Sequence, residues 1–134
     1  MKYYELELDG EIIKLRLTSG DCITIEEKNK CRILQYIQGS SITTMTTLLM
    51  YMVRSSNPTF SMKDASALYD KLIDNGYTME KILYDVIYEG LVVSGFLTKE
   101  QLTEIKDEMK REQDEAKEAL KKSKAQAKST TMEA

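Results

Sequence analysis

Apolar and polar residues alternate over positions 3–17. Tyr4, Leu6 and Leu8 interleave with Tyr3, Glu5 and Glu7, and Ile13, Leu15 and Leu17 interleave with Lys14 and Arg16. A period of two is the mark of a strand with one covered face. Between the two runs sits Asp9-Gly10, a dipeptide suited to a two-residue hairpin turn. With that turn the spacing predicts Leu6 opposite Ile13 and Tyr4 opposite Leu15 on the apolar side. Glu5 then lies opposite Lys14 on the other side, as an opposite-charge pair. An isolated hairpin is marginal in water, so its apolar face requires a cover.

From Thr18 the period lengthens to that of helices. Thr18 and Asp21 have the spacing of a capping box, opening a helix through Cys22, Ile25 and Glu26-Glu27-Lys28 with a break expected near Asn29. Ile33, Leu34 and Ile37 predict a short helical patch ending at Gly39. Ser41 is placed to cap a helix whose inward stripe reads Ile42, Met45, Leu48, Leu49, Met52 and Val53, and which stops before Pro58. Ser61 and Asp64 form a second capping box for a helix with Met62, Ala65, Leu68, Tyr69, Leu72 and Ile73 inward, ended by Asn75-Gly76.

The stretch from Thr78 to Leu97 is apolar around most of its circumference. Met79, Ile82, Leu83, Val86, Ile87 and Leu91 form one face, and Tyr84, Tyr88 and Val92 widen it. A helix of this kind is expected at the centre of the fold, with the preceding elements packed on it. Thr78 caps its start and Gly95 its end. Gly90 lies inside it, either marking a close helix approach or standing as a tolerated defect costing about 1 kcal/mol relative to alanine.

After Thr98 the composition changes. Residues 98–134 contain no aromatic side chain, and Lys, Arg, Asp and Glu make up about half of them. Leu102, Ile105 and Met109 make a thin stripe, with Ala116 and Leu120 as weak continuations. This predicts a long charged amphipathic helix, with fraying and disorder from Ser123 onward. The expected fold is therefore mostly α (α+β). An N-terminal two-stranded β-hairpin packs on a small helical bundle (residues 1–97), and a long charged C-terminal helix with a disordered basic tip follows (residues 98–134).

Charge adds one feature. Residues 1–97 and 98–118 each carry net −3, whereas residues 119–134 carry net +3. Lys121, Lys122, Lys124 and Lys128 would complement the dipole at a helix C-terminus. Read instead as a nucleic-acid contact, the tip lacks a stacking aromatic and hangs from an acidic body. Nucleic acid is therefore not an expected partner.

Candidate chemistry is sparse. The chain has no histidine and two cysteines, Cys22 and Cys31. Zinc sites that use histidine are excluded, and an all-cysteine site needs more thiols than exist. Both cysteines are expected as small reduced core residues. No phosphate-binding glycine pattern occurs, so neither cofactor nor metal is expected, nor an enzyme without its commonest acid–base group. The longest near-continuous apolar stretch, Leu48–Val53, is too short to span a bilayer, and an intracellular protein without a membrane partner is expected. The eight methionines point to adaptable apolar contacts instead. Met50 and Tyr51, off the main stripe of their helix, are the candidates for an exposed apolar patch. Leu102, Ile105 and Met109 are candidates for binding a partner helix, for self-association into a homo-oligomer, or for docking back onto the body.

Several phrases bear a family resemblance. The start Lys2-Tyr3-Tyr4-Glu5-Leu6-Glu7-Leu8-Asp9-Gly10, then Lys14-Leu15-Arg16-Leu17-Thr18, Ile25-Glu26-Glu27-Lys28 and the closing Ser94-Gly95-Phe96-Leu97 resemble the tail assembly chaperones of long-tailed phages and prophages of Gram-positive bacteria. The resemblance spans residues 2 to about 97. It departs after the first helix, where relatives often have a Gly-Lys-Asn-Pro-like turn and this chain reads Asn29-Lys30-Cys31-Arg32. It implies a non-enzymatic helper in the host cytoplasm, absent from the mature virion, that keeps the tape measure protein soluble and helps recruit tail tube subunits. A structural virion or head–tail completion subunit and a small nucleic-acid-binding regulator stand as alternatives.

Overall fold

A computed structural model describes residues 2–39 and 41–133, with side chains described as far as Lys122. The fold is mostly helical. Strands β1 (Tyr4–Leu8) and β2 (Glu11–Leu15) are followed by helices α1 (Ser19–Asn29), α2 (Ile33–Gln38), α3 (Ile42–Arg54), α4 (Met62–Asp74), α5 (79–93) and α6 (Lys99–Glu133). The chain divides into two compact units, Met1–Lys99 and Glu100–Ala134.

The hairpin has the expected register, with Tyr4 opposite Leu15, Glu5 opposite Lys14 and Leu6 opposite Ile13. Both turn residues have positive φ, 50° at Asp9 and 78° at Gly10. That matches the twist of the strands and is easiest for Asp, Asn and Gly. Leu6, Leu8, Leu15 and Leu17 are all buried, so a slip by one residue would expose the whole set.

The caps follow the sequence closely. Thr18 and Asp21 form the reciprocal box at the start of α1, and Ser61 and Asp64 form the same box on α4. Thr78 Oγ1 accepts from the Lys81 N–H at the start of α5. α1 ends where a break was expected, with Lys30 in the left-handed region at φ 51°. Glu26 of α1 reaches across the break and accepts from the Ile33 N–H at 2.9 Å. It satisfies a first-turn donor of α2 that no local side chain caps.

The centre of the first unit is α3 rather than the Thr78–Leu97 helix. α3 contacts β2, α4, α2 and the middle of α5. Its side chains from Thr44 to Val53 are buried, apart from half-buried Thr47. The end of α3 and the turn after it finish the outer edge of β2. Arg16 N–H donates to the Met52 carbonyl at 3.0 Å, and Ser56 Oγ donates to the Lys14 carbonyl at 3.1 Å.

α5 is continuous but not uniform. An α-turn, Met79–Ile82, runs into a π-turn, Leu83–Ile87, and back to α-helix, Tyr88–Val93. Such a turn inserts one extra residue into the helix. Tyr4 Oη donates to the Asp85 carbonyl inside it at 2.8 Å. Gly90 proves to be a close approach and not a mere defect: a Cβ there would run into Met52 Cε and lie 3.9 Å from Leu15 Cβ. At the end of α5, Ser94 Oγ accepts from the Leu17 N–H at 2.9 Å and donates to the Gly90 carbonyl at 2.7 Å.

Two predictions follow from these contacts. Ser94→Ala leaves the Leu17 N–H without its acceptor beside a buried side chain and should lower stability by about 1–3 kcal/mol in urea unfolding. Gly90→Ala adds a methyl group against Met52 and should lower stability by about 1–2 kcal/mol, overpacking exceeding the gain in helix propensity. In a Met52→Leu background, where the side chain is shorter, the same change should be neutral or stabilising. Equal losses in both backgrounds would show that Met52 is not the obstruction.

Candidate partner-binding surfaces

Met50 and Tyr51, expected as an exposed patch, are buried, at 8% and 7% exposure. The reason is the position of α3. α3 packs on β2, α4, α2 and the middle of α5, so residues off its main stripe are covered where those of a surface helix would meet water, and the Arg54 guanidinium lies 5.8 Å from the Tyr51 ring centre. The two residues are core, and they offer no surface to a partner.

The stripe on α6 has the expected extent. Leu102 is buried, Ile105 and Met109 are half-buried, and every side chain from Lys110 to Lys122 is exposed. Leu120, the weak continuation, is 58% exposed. These three residues are set three and four apart on one face of the helix. The disorder expected from Ser123 onward lies outside the described side chains.

Several residues expected inward are exposed: Leu34, Ile42, Met62, Ile73 and Met79. Each lies at the margin of its stripe or in the first or last turn of its helix, where a neighbour covers one side only. Ile23 is likewise exposed. Ile12 was not singled out by the alternation, yet it is the most exposed large apolar residue described, at 61%. The signal was present as the doublet Ile12-Ile13, since a strand with one covered face places only one of two neighbours inside. Ile12 stands beside an open cleft of about 400 Å³ between β2, the end of α3, the turn at Ser56–Phe60 and α4, lined by Ile12, Ile13, Val53, Phe60 and Leu68 among others.

The two cysteines differ. Cys22 is buried, and its thiol pKa is pushed up to about 11 by burial, with Asp21 and Glu26 adding repulsion. Cys31, expected in the core as well, is only half-buried in the break between α1 and α2, and both are free thiols. Among the described residues no group of Cys, Asp and Glu is placed to hold a metal ion, and no helix is long and apolar enough to cross a membrane. No family model, curated protein or solved structure matches this chain.

At pH 8 a disulfide reagent should modify one thiol per chain quickly, and peptide mapping should place it at Cys31. Cys22, protonated and covered, should react only on unfolding. Equal rates at the two positions would show that α1 does not hold Cys22 closed.

Proposed function

We propose that this chain is a tail assembly chaperone of a long-tailed phage, a non-enzymatic protein of the host cytoplasm that binds the tape measure protein and helps recruit tail tube subunits. The observation that carries the reading is the Leu102–Ile105–Met109 stripe on a long and otherwise polar helix. A helical partner docks through anchors three and four residues apart; Ile105 and Met109, four apart and half-buried, keep surface for such a contact, while Leu102 is already covered. The resemblance of residues 2–97 to that chaperone family supplies the identity of the partner. The scattered exposed apolar residues of the body, Ile23, Leu34 and Ile42 among them, support a protein that works by adaptable contact.

Co-expression with the tape measure protein of the same phage tests this. The tape measure protein should stay soluble and co-purify only when the chain is present. Ile105→Glu, which puts a carboxylate into the stripe, should weaken the complex by about tenfold or more, an apolar side chain of this size being worth about 1.5–3 kcal/mol when covered. A tape measure protein indifferent to the chain would overturn the proposal, and recovery of the chain in purified particles would assign it to the virion structure instead.

A further inference from the structure

We propose that the outer edge of β2 at Ile12–Lys14 receives an extended peptide segment of a partner protein, with one apolar side chain of that segment filling the adjacent cleft. The inference is independent of the chaperone reading, which concerns α6.

The hairpin geometry decides which backbone groups are available. A two-residue turn at Asp9-Gly10 makes Leu8 and Glu11 the first hydrogen-bonded pair, so odd-numbered residues of β2 bond to β1. Even-numbered residues then point their N–H and C=O groups away from it. Two contacts agree with this: Arg16 N–H reaches the Met52 carbonyl, and the Lys14 carbonyl accepts from Ser56 Oγ. The end of α3 and Ser56 just after it thus close the far end of the edge and leave the near end open. The outward N–H and C=O of Ile12 and the N–H of Lys14 have no protein partner among the described contacts, and both side chains are exposed. An open edge with an exposed isoleucine is the kind that folded proteins ordinarily protect.

The chemistry of the edge selects the occupant. A helix satisfies its own N–H and C=O groups internally and has none to give to a strand edge. An extended chain supplies donors and acceptors at the required spacing. The cleft alongside is mostly apolar, and at about 400 Å³ it suits one or two side chains rather than a helical face. Self-pairing with a second copy is less suited, because each copy brings an edge already closed beyond Lys14 by its own α3.

The test uses the full chain and a random linear peptide library displayed on phage. Enriched peptides should show apolar residues at alternate positions. When a synthetic peptide of that sequence binds, the Ile12 and Lys14 amides should exchange with solvent about tenfold or more slowly by NMR. Ile12→Pro removes the outward N–H without touching the ladder to β1, and Phe60→Ala empties the cleft wall. Each should weaken peptide binding by about tenfold or more while the far-UV circular dichroism stays that of the parent. If Ile12→Pro does not fold, Ile12→Ser keeps the N–H and removes only the apolar contact, and should still weaken binding. Any of three results would overturn the proposal: no enrichment, enriched peptides with helical spacing, or unchanged exchange at the two amides. Concentration-dependent protection of those amides in the free protein, with a dimer by light scattering, would overturn it in favour of self-pairing.

Discussion

Met52 holds three elements at one point. Its side chain occupies the space where a Cβ on Gly90 would stand, which joins α3 to α5. Its carbonyl accepts the Arg16 N–H just past the end of β2, which joins α3 to the hairpin. Met52, Leu15 and Leu91 are fully buried around this point. An unbranched, flexible side chain suits such a position, since it can follow an irregular gap between a strand and a glycine-faced helix. The hairpin, α3 and α5 thus share one packing point at this thioether.

The π-turn in α5 answers a related geometric problem. The Tyr88 N–H donates to the Leu83 carbonyl, one residue further back than in an α-helix. The extra residue turns the following side chains relative to the preceding ones. Ile82, Leu83, Val86, Ile87, Tyr88 and Leu91, before, within and after the turn, are all buried. Tyr84 and Tyr88 settle edge-to-face, with ring centres 5.3 Å apart, an arrangement that aromatic quadrupoles favour. Tyr4 takes up the Asp85 carbonyl within the turn, so the first strand and the irregular part of α5 support one another.

The sequence was most legible where one local interaction decides the conformation. Asp9-Gly10, the boxes at Thr18 and Ser61, Ser41, Thr78 and Gly76 each fix a boundary through a hydrogen bond or a positive φ that the residue itself supplies, and each boundary lies where its residues put it. Legibility failed where the outcome depends on a neighbour distant in sequence. Periodicity gives the inward direction of a helix but not how much of its circumference other elements will cover. The pattern therefore puts Met50 and Tyr51 at the surface, where the structure has them buried, and Ile42, Ile73 and Met79 inward, where the structure has them exposed. Gly90 left two readings open because its meaning lies in Met52, 38 positions earlier in the sequence. The cleft beside Ile12 was hidden for the same reason, although the Ile12-Ile13 doublet had already broken the alternation that defines the strand.

The strength of the α6 stripe bears on how it would work. Leu102 is already buried and Ile105 and Met109 are half-buried, so a partner gains less than the ~1.5–3 kcal/mol per side chain of full burial, against roughly 4–15 kcal/mol lost in associating two molecules. A single copy gripping a partner by Ile105 and Met109 would therefore hold it weakly. Weak individual contacts become effective when a partner offers many equivalent positions, because each copy that leaves is replaced while its neighbours stay bound. On the proposed reading, a long helical client is such a partner, and a thin stripe is then an advantage: the client stays covered in bulk while any one contact can be displaced when the final binding partner arrives.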